Sequence, residues 1–125
     1  MEHLEISQTE KDPGVSFNPD SGVFIISGNS IPEDCLAFYK PIFAWLDDYI
    51  DSPALSTKLE VRLKFFNTST SKCLFSIFKR LEKIQKDGGA AGITWHYSLK
   101  DTDMYESGMD FSNMLSIPFK LIRED

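Results

Sequence analysis

The sequence predicts an α/β domain: a mixed sheet of about five strands with helices packed on it, in the order ββαβαβαβ. Three observations carry this. Lys58 to Phe65 alternates strictly, with Leu59, Val61, Leu63 and Phe65 on one side and Glu60, Arg62 and Lys64 on the other. That is the period of a strand with one buried face. Directly after it, Cys73, Leu74, Ile77, Phe78, Leu81 and Ile84 repeat at helical spacing. The two patterns go on alternating to the end of the chain, which implies right-handed crossovers and at least some parallel pairing.

The elements follow in order. The first ten residues are polar and read as a loose tail. Val15–Phe17 and Val23–Ile26 form short strands around Asn18-Pro19-Asp20-Ser21-Gly22, a cluster of turn-forming residues that predicts a hairpin. Ser30-Ile31-Pro32-Glu33 has the form of a helix start, with Ser as the cap and Glu three residues later. The helix that follows places Cys35, Tyr39, Ile42, Phe43, Leu46, Tyr49 and Ile50 on one side and ends near Pro53. The Lys58–Phe65 strand leads through a short polar turn into the second helix, which Asp87-Gly88-Gly89 stops. Ile93, Trp95 and Tyr97 alternate with Thr94, His96 and Ser98 in a further strand. A weaker amphipathic helix, Asp103–Leu115, is interrupted by Gly108, and Phe119–Ile122 closes the chain as a strand.

At 125 residues the chain is read as one domain spanning its whole length. No apolar run approaches the roughly 18 residues of a membrane span, and the start lacks the blocks of a signal peptide. The expectation is a cytoplasmic protein without membrane insertion. Its net charge of −6 argues against non-specific nucleic-acid binding. The charge is unevenly spread: Lys58–Lys86 holds eight basic and two acidic residues, the rest five and seventeen. Such a segment either complements its own helix dipole and neighbouring acidic groups or faces a partner.

The catalytic inventory is thin. Neither a phosphate-binding Gly-Lys loop nor a dinucleotide fingerprint occurs, and no cofactor or metal is expected. The acidic run Asp101, Asp103, Glu106, Asp110 lacks calcium-loop spacing. Cys35 and Cys73 read as small buried hydrophobes, with a redox role as the alternative. His96 reads as a hydrogen-bonded strand histidine; a small enzyme using it as a base is the competing reading, and it requires a deep pocket there.

One segment stands out. Asn67-Thr68-Ser69-Thr70-Ser71 places four consecutive hydroxyls between a buried strand and a helix. Capping accounts for one or two of them, since Asn, Ser and Thr satisfy free N–H groups at a helix start. At least one hydroxyl is then spare. A phosphate there adds about −1.5 to −2 charge, which a helix amino end tolerates. Regulation by phosphorylation and plain capping both remain open on these residues alone.

The element order, with hydroxyls between the third strand and second helix, resembles the STAS fold of anti-anti-sigma factors. There the acceptor serine follows an aspartate; here Asn67-Thr68 stands in that place. The SiaC family of regulatory phosphoproteins, a divergent branch of that architecture, is a closer resemblance. Its hallmarks are similar to Gly28-Asn29-Ser30-Ile31-Pro32-Glu33, Leu59-Glu60-Val61-Arg62-Leu63 with Asn67-Thr68-Ser69, Thr94-Trp95-His96-Tyr97 and Ile117-Pro118-Phe119. The resemblance implies a non-enzymatic switch. A protein kinase would phosphorylate Thr68 and a metal-dependent serine/threonine phosphatase would reverse it. The unphosphorylated form would bind and activate a diguanylate cyclase, raising cyclic di-GMP and promoting biofilm. An anti-sigma factor is the alternative partner. Asn67, Ser69, Thr70, Lys72, Lys64 and Arg62 are the expected partner-binding residues, and Ser69, Thr70 and Ser71 are further candidate acceptors.

Overall fold

A computed structural model describes all residues, 1–125. Six strands, β1 (Leu4–Ile6), β2 (Gly14–Phe17), β3 (Val23–Ser30), β4 (Ser56–Phe66), β5 (Ala90–Tyr97) and β6 (Phe119–Arg123), form one sheet in sequence order. The pairs β1–β2 and β2–β3 are antiparallel, and β3–β4, β4–β5 and β5–β6 are parallel. Three helices, α1 (Cys35–Tyr49), α2 (Thr68–Lys86) and α3 (Thr102–Met114), make the parallel crossovers. Because strand order follows chain order, right-handed crossovers put all three helices on one face. Burial along β4 agrees: Leu59, Val61 and Leu63 lie in the core, while Lys58, Arg62 and Lys64 are exposed on the opposite face. No helix is long and apolar enough to cross a membrane.

The predicted α/β class and mixed sheet therefore hold, with corrections. The sheet has six strands rather than about five, because the expected loose tail contains β1. Leu4 pairs with Phe17 and Ile6 with Val15, and Trp45 Nε1 donates to Glu2 O at 2.9 Å. Ser30 does not cap α1. It ends β3, fully buried, and the cap is Asp34, whose carboxylate accepts from Ala37 N at 3.1 Å. The short polar turn before α2 is also absent: Thr68 is already the first helical residue, and Asn67 is the cap.

A β-bulge decides the end of β4. Gly28 pairs with Leu63 but Asn29 with Phe65, so Lys64 is an extra residue on β4. Gly28 takes φ +93, a conformation open to glycine, and the Gln8 side chain packs where a Cβ would stand. The extra residue reverses the alternation. Phe66 turns inward against Trp95, with ring centroids 5.8 Å apart, and Phe65, expected in the core, is 57% exposed.

Gly108 is a packing requirement rather than an interruption. A Cβ there would lie 2.5 Å from Trp95 Cδ1, and Trp95 Nε1 donates to Met104 O in the same helix at 2.9 Å. Helix propensity alone favours Ala by about 1 kcal/mol. Overpacking against the buried indole opposes it, so Gly108→Ala is expected to destabilise the domain by about 1–3 kcal/mol. Urea unfolding checks the sign; a more stable variant would show that α3 does not rest on Trp95.

Candidate functional site: the amino end of α2

The four hydroxyls have different fates. Asn67 Oδ1 accepts from Thr70 N at 2.8 Å, which fixes the first turn of α2. The Thr70 side chain points into the core. Its Oγ1 donates to Ser30 O at 2.9 Å and lies 2.8 Å from Ser30 Oγ, which is itself 2.8 Å from Tyr39 Oη. With the Thr70 proton committed to Ser30 O, the order is Tyr39 to Ser30 to Thr70. Burial pushes the Tyr39 phenol well above its ordinary range, which suits a permanent donor. Thr68 and Ser69 are exposed and Ser71 is half-buried.

Thr70 is therefore corrected as a partner-contact residue and as an acceptor. It has no accessible surface and its hydroxyl is used three ways. Which hydroxyl turns inward follows from the cap at Asn67, which the run of hydroxyls alone does not specify. Thr70→Ala should cost about 1–3 kcal/mol, because Ser30 loses its partners in a dry site. Thr68→Ala should stay within about 0.5 kcal/mol, as surface changes do. Urea unfolding of the two variants separates the structural hydroxyl from the spare one.

Thr68 opens on a cleft of about 350 Å³ that also takes in Lys64, Phe65, Asn67, Ser71, Asp101 and Asp103. Lys64 and Asn67 thus line the same cleft as Thr68. Phe65 and the two aspartates were not foreseen; Asp101 caps α3 by accepting from Met104 N at 2.9 Å, which points its carboxylate end toward this corner. Ser69 and Lys72 face the other way. They border a second cleft beside Glu33, Asp34, Cys35 and Leu36, and Leu36 is 64% exposed. Thr68 thus shares its cleft with exposed Phe65, and the adjacent Ser69 shares the other with exposed Leu36.

The basic segment divides cleanly. Arg62, Lys79, Arg80, Lys83 and Lys86 form ion pairs with Glu60 and Glu124, Glu82, Asp47, Asp87 and Glu82 respectively. Those five serve the fold. Lys58, Lys64 and Lys72 form none, and the last two border the Thr68 and Ser69 clefts. Arg62, expected at the partner surface, is tied into a cluster on the helix-free face of the sheet.

His96 belongs to that cluster. Its Nε2 lies 2.7 Å from Glu60 Oε1, and its Nδ1 lies 2.8 Å from Glu124 Oε1, though off the direction of a good hydrogen bond. The bond to His96, followed by the Arg62 charge, holds the Glu60 carboxyl below its usual range. A cleft of about 370 Å³ does lie alongside. The ring itself is buried, 6% exposed, with Glu60 beside one nitrogen and Glu124 beside the other, so it forms part of the sheet's charged face. The geometry is that of an ion-pair cluster joining β4, β5 and the residues after β6.

A small α/β domain that presents an exposed threonine at the start of a central helix has the form of a regulatory binding module. The chain belongs to the SiaC family of regulatory phosphoproteins, whose family model matches residues 6–124. A Pseudomonas aeruginosa protein is 25% identical over 125 residues, covering 100% of this chain and 99% of its own length. Among solved structures, apo-SiaC of Pseudomonas aeruginosa is similar with a TM-score of 0.87 at 25% identity, over 97% of this chain and 98% of that one. SiaC in complex with the diguanylate cyclase SiaD, of which it is described as the activator, is similar with a TM-score of 0.91 at 24% identity, over 97% of this chain and 99% of that one. These likenesses agree with the sheet order and helix placement described above.

Proposed function

We infer that this protein is a phosphorylation-controlled switch whose unphosphorylated form binds and activates a diguanylate cyclase. Thr68 is the acceptor for a protein kinase, and a metal-dependent serine/threonine phosphatase removes the phosphate. The observation that carries the reading is the division of the hydroxyl run: Thr70 is locked in the core and Thr68 is exposed in a cleft beside an uncovered phenylalanine. A kinase can reach Thr68 without opening the domain. Phosphate there meets the positive end of α2, so folding is not opposed. It does change the surface, placing about two negative charges next to Phe65, Asp101 and Asp103. A surface suited to an apolar contact becomes a hydrated anionic one, and such a change acts on partner binding.

A cyclase is preferred to an anti-sigma factor because the structural relative bound to a partner is described as the activator of one. Asn67, Ser69, Lys64 and Lys72 contribute to the same surface, with Leu36 and Phe65 as its apolar anchors; Arg62 contributes least, being held by Glu60 and Glu124. The test is reconstitution. The purified chain is mixed with the diguanylate cyclases of its own organism, and cyclic di-GMP production is followed. Stimulation of one cyclase by the unphosphorylated chain and by Thr68→Ala supports the reading. No binding to any of them, alongside capture of an anti-sigma factor, overturns it.

A further inference from the structure

Cys35 and Cys73 are 38 positions apart in sequence, and the structure brings their sulfurs to 4.0 Å. Cys35 opens α1 and Cys73 lies in the second turn of α2, where the two helices pack side by side. Both are buried from most sides but border a cleft of about 480 Å³ together with Glu33, Ser69 and Lys72. A small polar molecule can therefore reach them from the surface. Cys35 Sγ also lies 3.3 Å from Thr70 Oγ1, so one side of the pair is already held by a hydrogen bond.

We propose that Cys35 and Cys73 form a reversible disulfide when the protein meets hydrogen peroxide. A bonded pair needs its sulfurs at about 2.05 Å. The sulfurs stand 4.0 Å apart, so about 2 Å must close for the bond to form. Burial first, and then the neighbouring Cys35, push the Cys73 thiol up to about 11, so Cys73 keeps its proton until the second step. The Cys35 sulfur attacks one peroxide oxygen, the O–O bond breaks, and Cys35 becomes a sulfenic acid as one water leaves. Cys73 then attacks that sulfur. The S–O bond breaks, the S–S bond forms, and the departing hydroxide takes the Cys73 proton as the second water. Two thiols are oxidised by two electrons and one peroxide is reduced to two waters. A dithiol reverses the step by exchange. The link joins the start of α1 to the turn that follows Thr68, so oxidation and the proposed switch surface share one helix.

The full chain is treated with hydrogen peroxide, quenched, denatured and alkylated, and its intact mass and peptide map are read. The expected result is loss of both alkylatable thiols, a monomer lighter by two hydrogens, and one Cys35–Cys73 cross-linked peptide that dithiothreitol removes. Thr68→Ala should give the same product, which separates this inference from the phosphorylation reading. Cys35→Ala and Cys73→Ala should each abolish the cross-link, and the map of the unaltered chain decides the question even where a variant folds poorly. The inference is overturned if both thiols stay alkylatable at a peroxide dose that consumes them in the urea-unfolded chain. Gain of oxygen without a cross-link, or a link between two chains, overturns it equally.

Discussion

Phosphate on Thr68 is expected to weaken binding of the cyclase partner by about a hundredfold or more. The estimate comes from desolvation: covering an ionised group costs several kcal/mol unless new partners replace its water, and each 1.4 kcal/mol is tenfold in affinity. The surroundings offer little relief. Lys64 is the one cation that lines the cleft, and Asp101 and Asp103 line it too. The exposed ring of Phe65, useful in an apolar contact, cannot pair with an anion. Thr68→Ala should bind like the unphosphorylated chain, and Thr68→Glu should lose only part of the affinity, having one charge and a different shape. Titration calorimetry with kinase-treated and untreated protein checks this. Equal affinities for the two forms would mean that the phosphate lies outside the contact surface.

The largest effect on stability is expected at Glu82, with Glu82→Ala losing about 2–3 kcal/mol. Its side chain is 3% exposed, yet it belongs to the charged side of α2. The carboxylate accepts from Ser116 N at 2.7 Å and Ser116 Oγ at 3.1 Å, and lies 2.6 Å from Lys79 Nζ and 3.2 Å from Lys86 Nζ. It thereby ties α2 to the segment that leads into β6. Lys79 chiefly, then the Ser116 N–H, hold its carboxyl down at about 2. A carboxyl whose folded value is lowered contributes stability above its unfolded value, about 4.3, and that contribution is lost as pH falls from there through about 2. The full contribution is at most about 3 kcal/mol. Glu82→Gln should therefore unfold at lower urea at neutral pH and lose less than the unaltered protein on acidification. Parallel acid profiles for the two proteins would remove Glu82 from this role.

The fold was legible where a period ran long enough to be unambiguous. β4 and α2 each show theirs over eight or more residues, and the hairpin announced itself through five turn residues between two apolar runs. What escaped depends on contacts distant in sequence. β1 is three residues long and exists because β2 offers an open edge. The bulge at Lys64 arises from Gly28 on the neighbouring strand, so nothing within β4 foretold that Phe65 would face outward. Ser30 and Asp34 are both good caps, and the extension of β3 used the first. At the candidate site, the run of hydroxyls was visible as a run, but its sorting into buried Thr70 and exposed Thr68 follows from which residue caps α2. Asp101 and Asp103 reach the cleft only because α3 begins beside the end of β4. The two cysteines looked like unrelated core residues until α1 and α2 were packed together.

The central claim is that Thr68 accepts a phosphoryl group at the surface while the domain beneath it stays intact. Amide nuclear magnetic resonance spectra of the chain before and after treatment with its kinase test this most directly. The account predicts one phosphothreonine, with shifts confined to the first turn of α2, the end of β4 and the start of α3, and a core unchanged around Trp95 and Thr70. Collapse of the core signals, or a phosphate carried by any other residue, would contradict it.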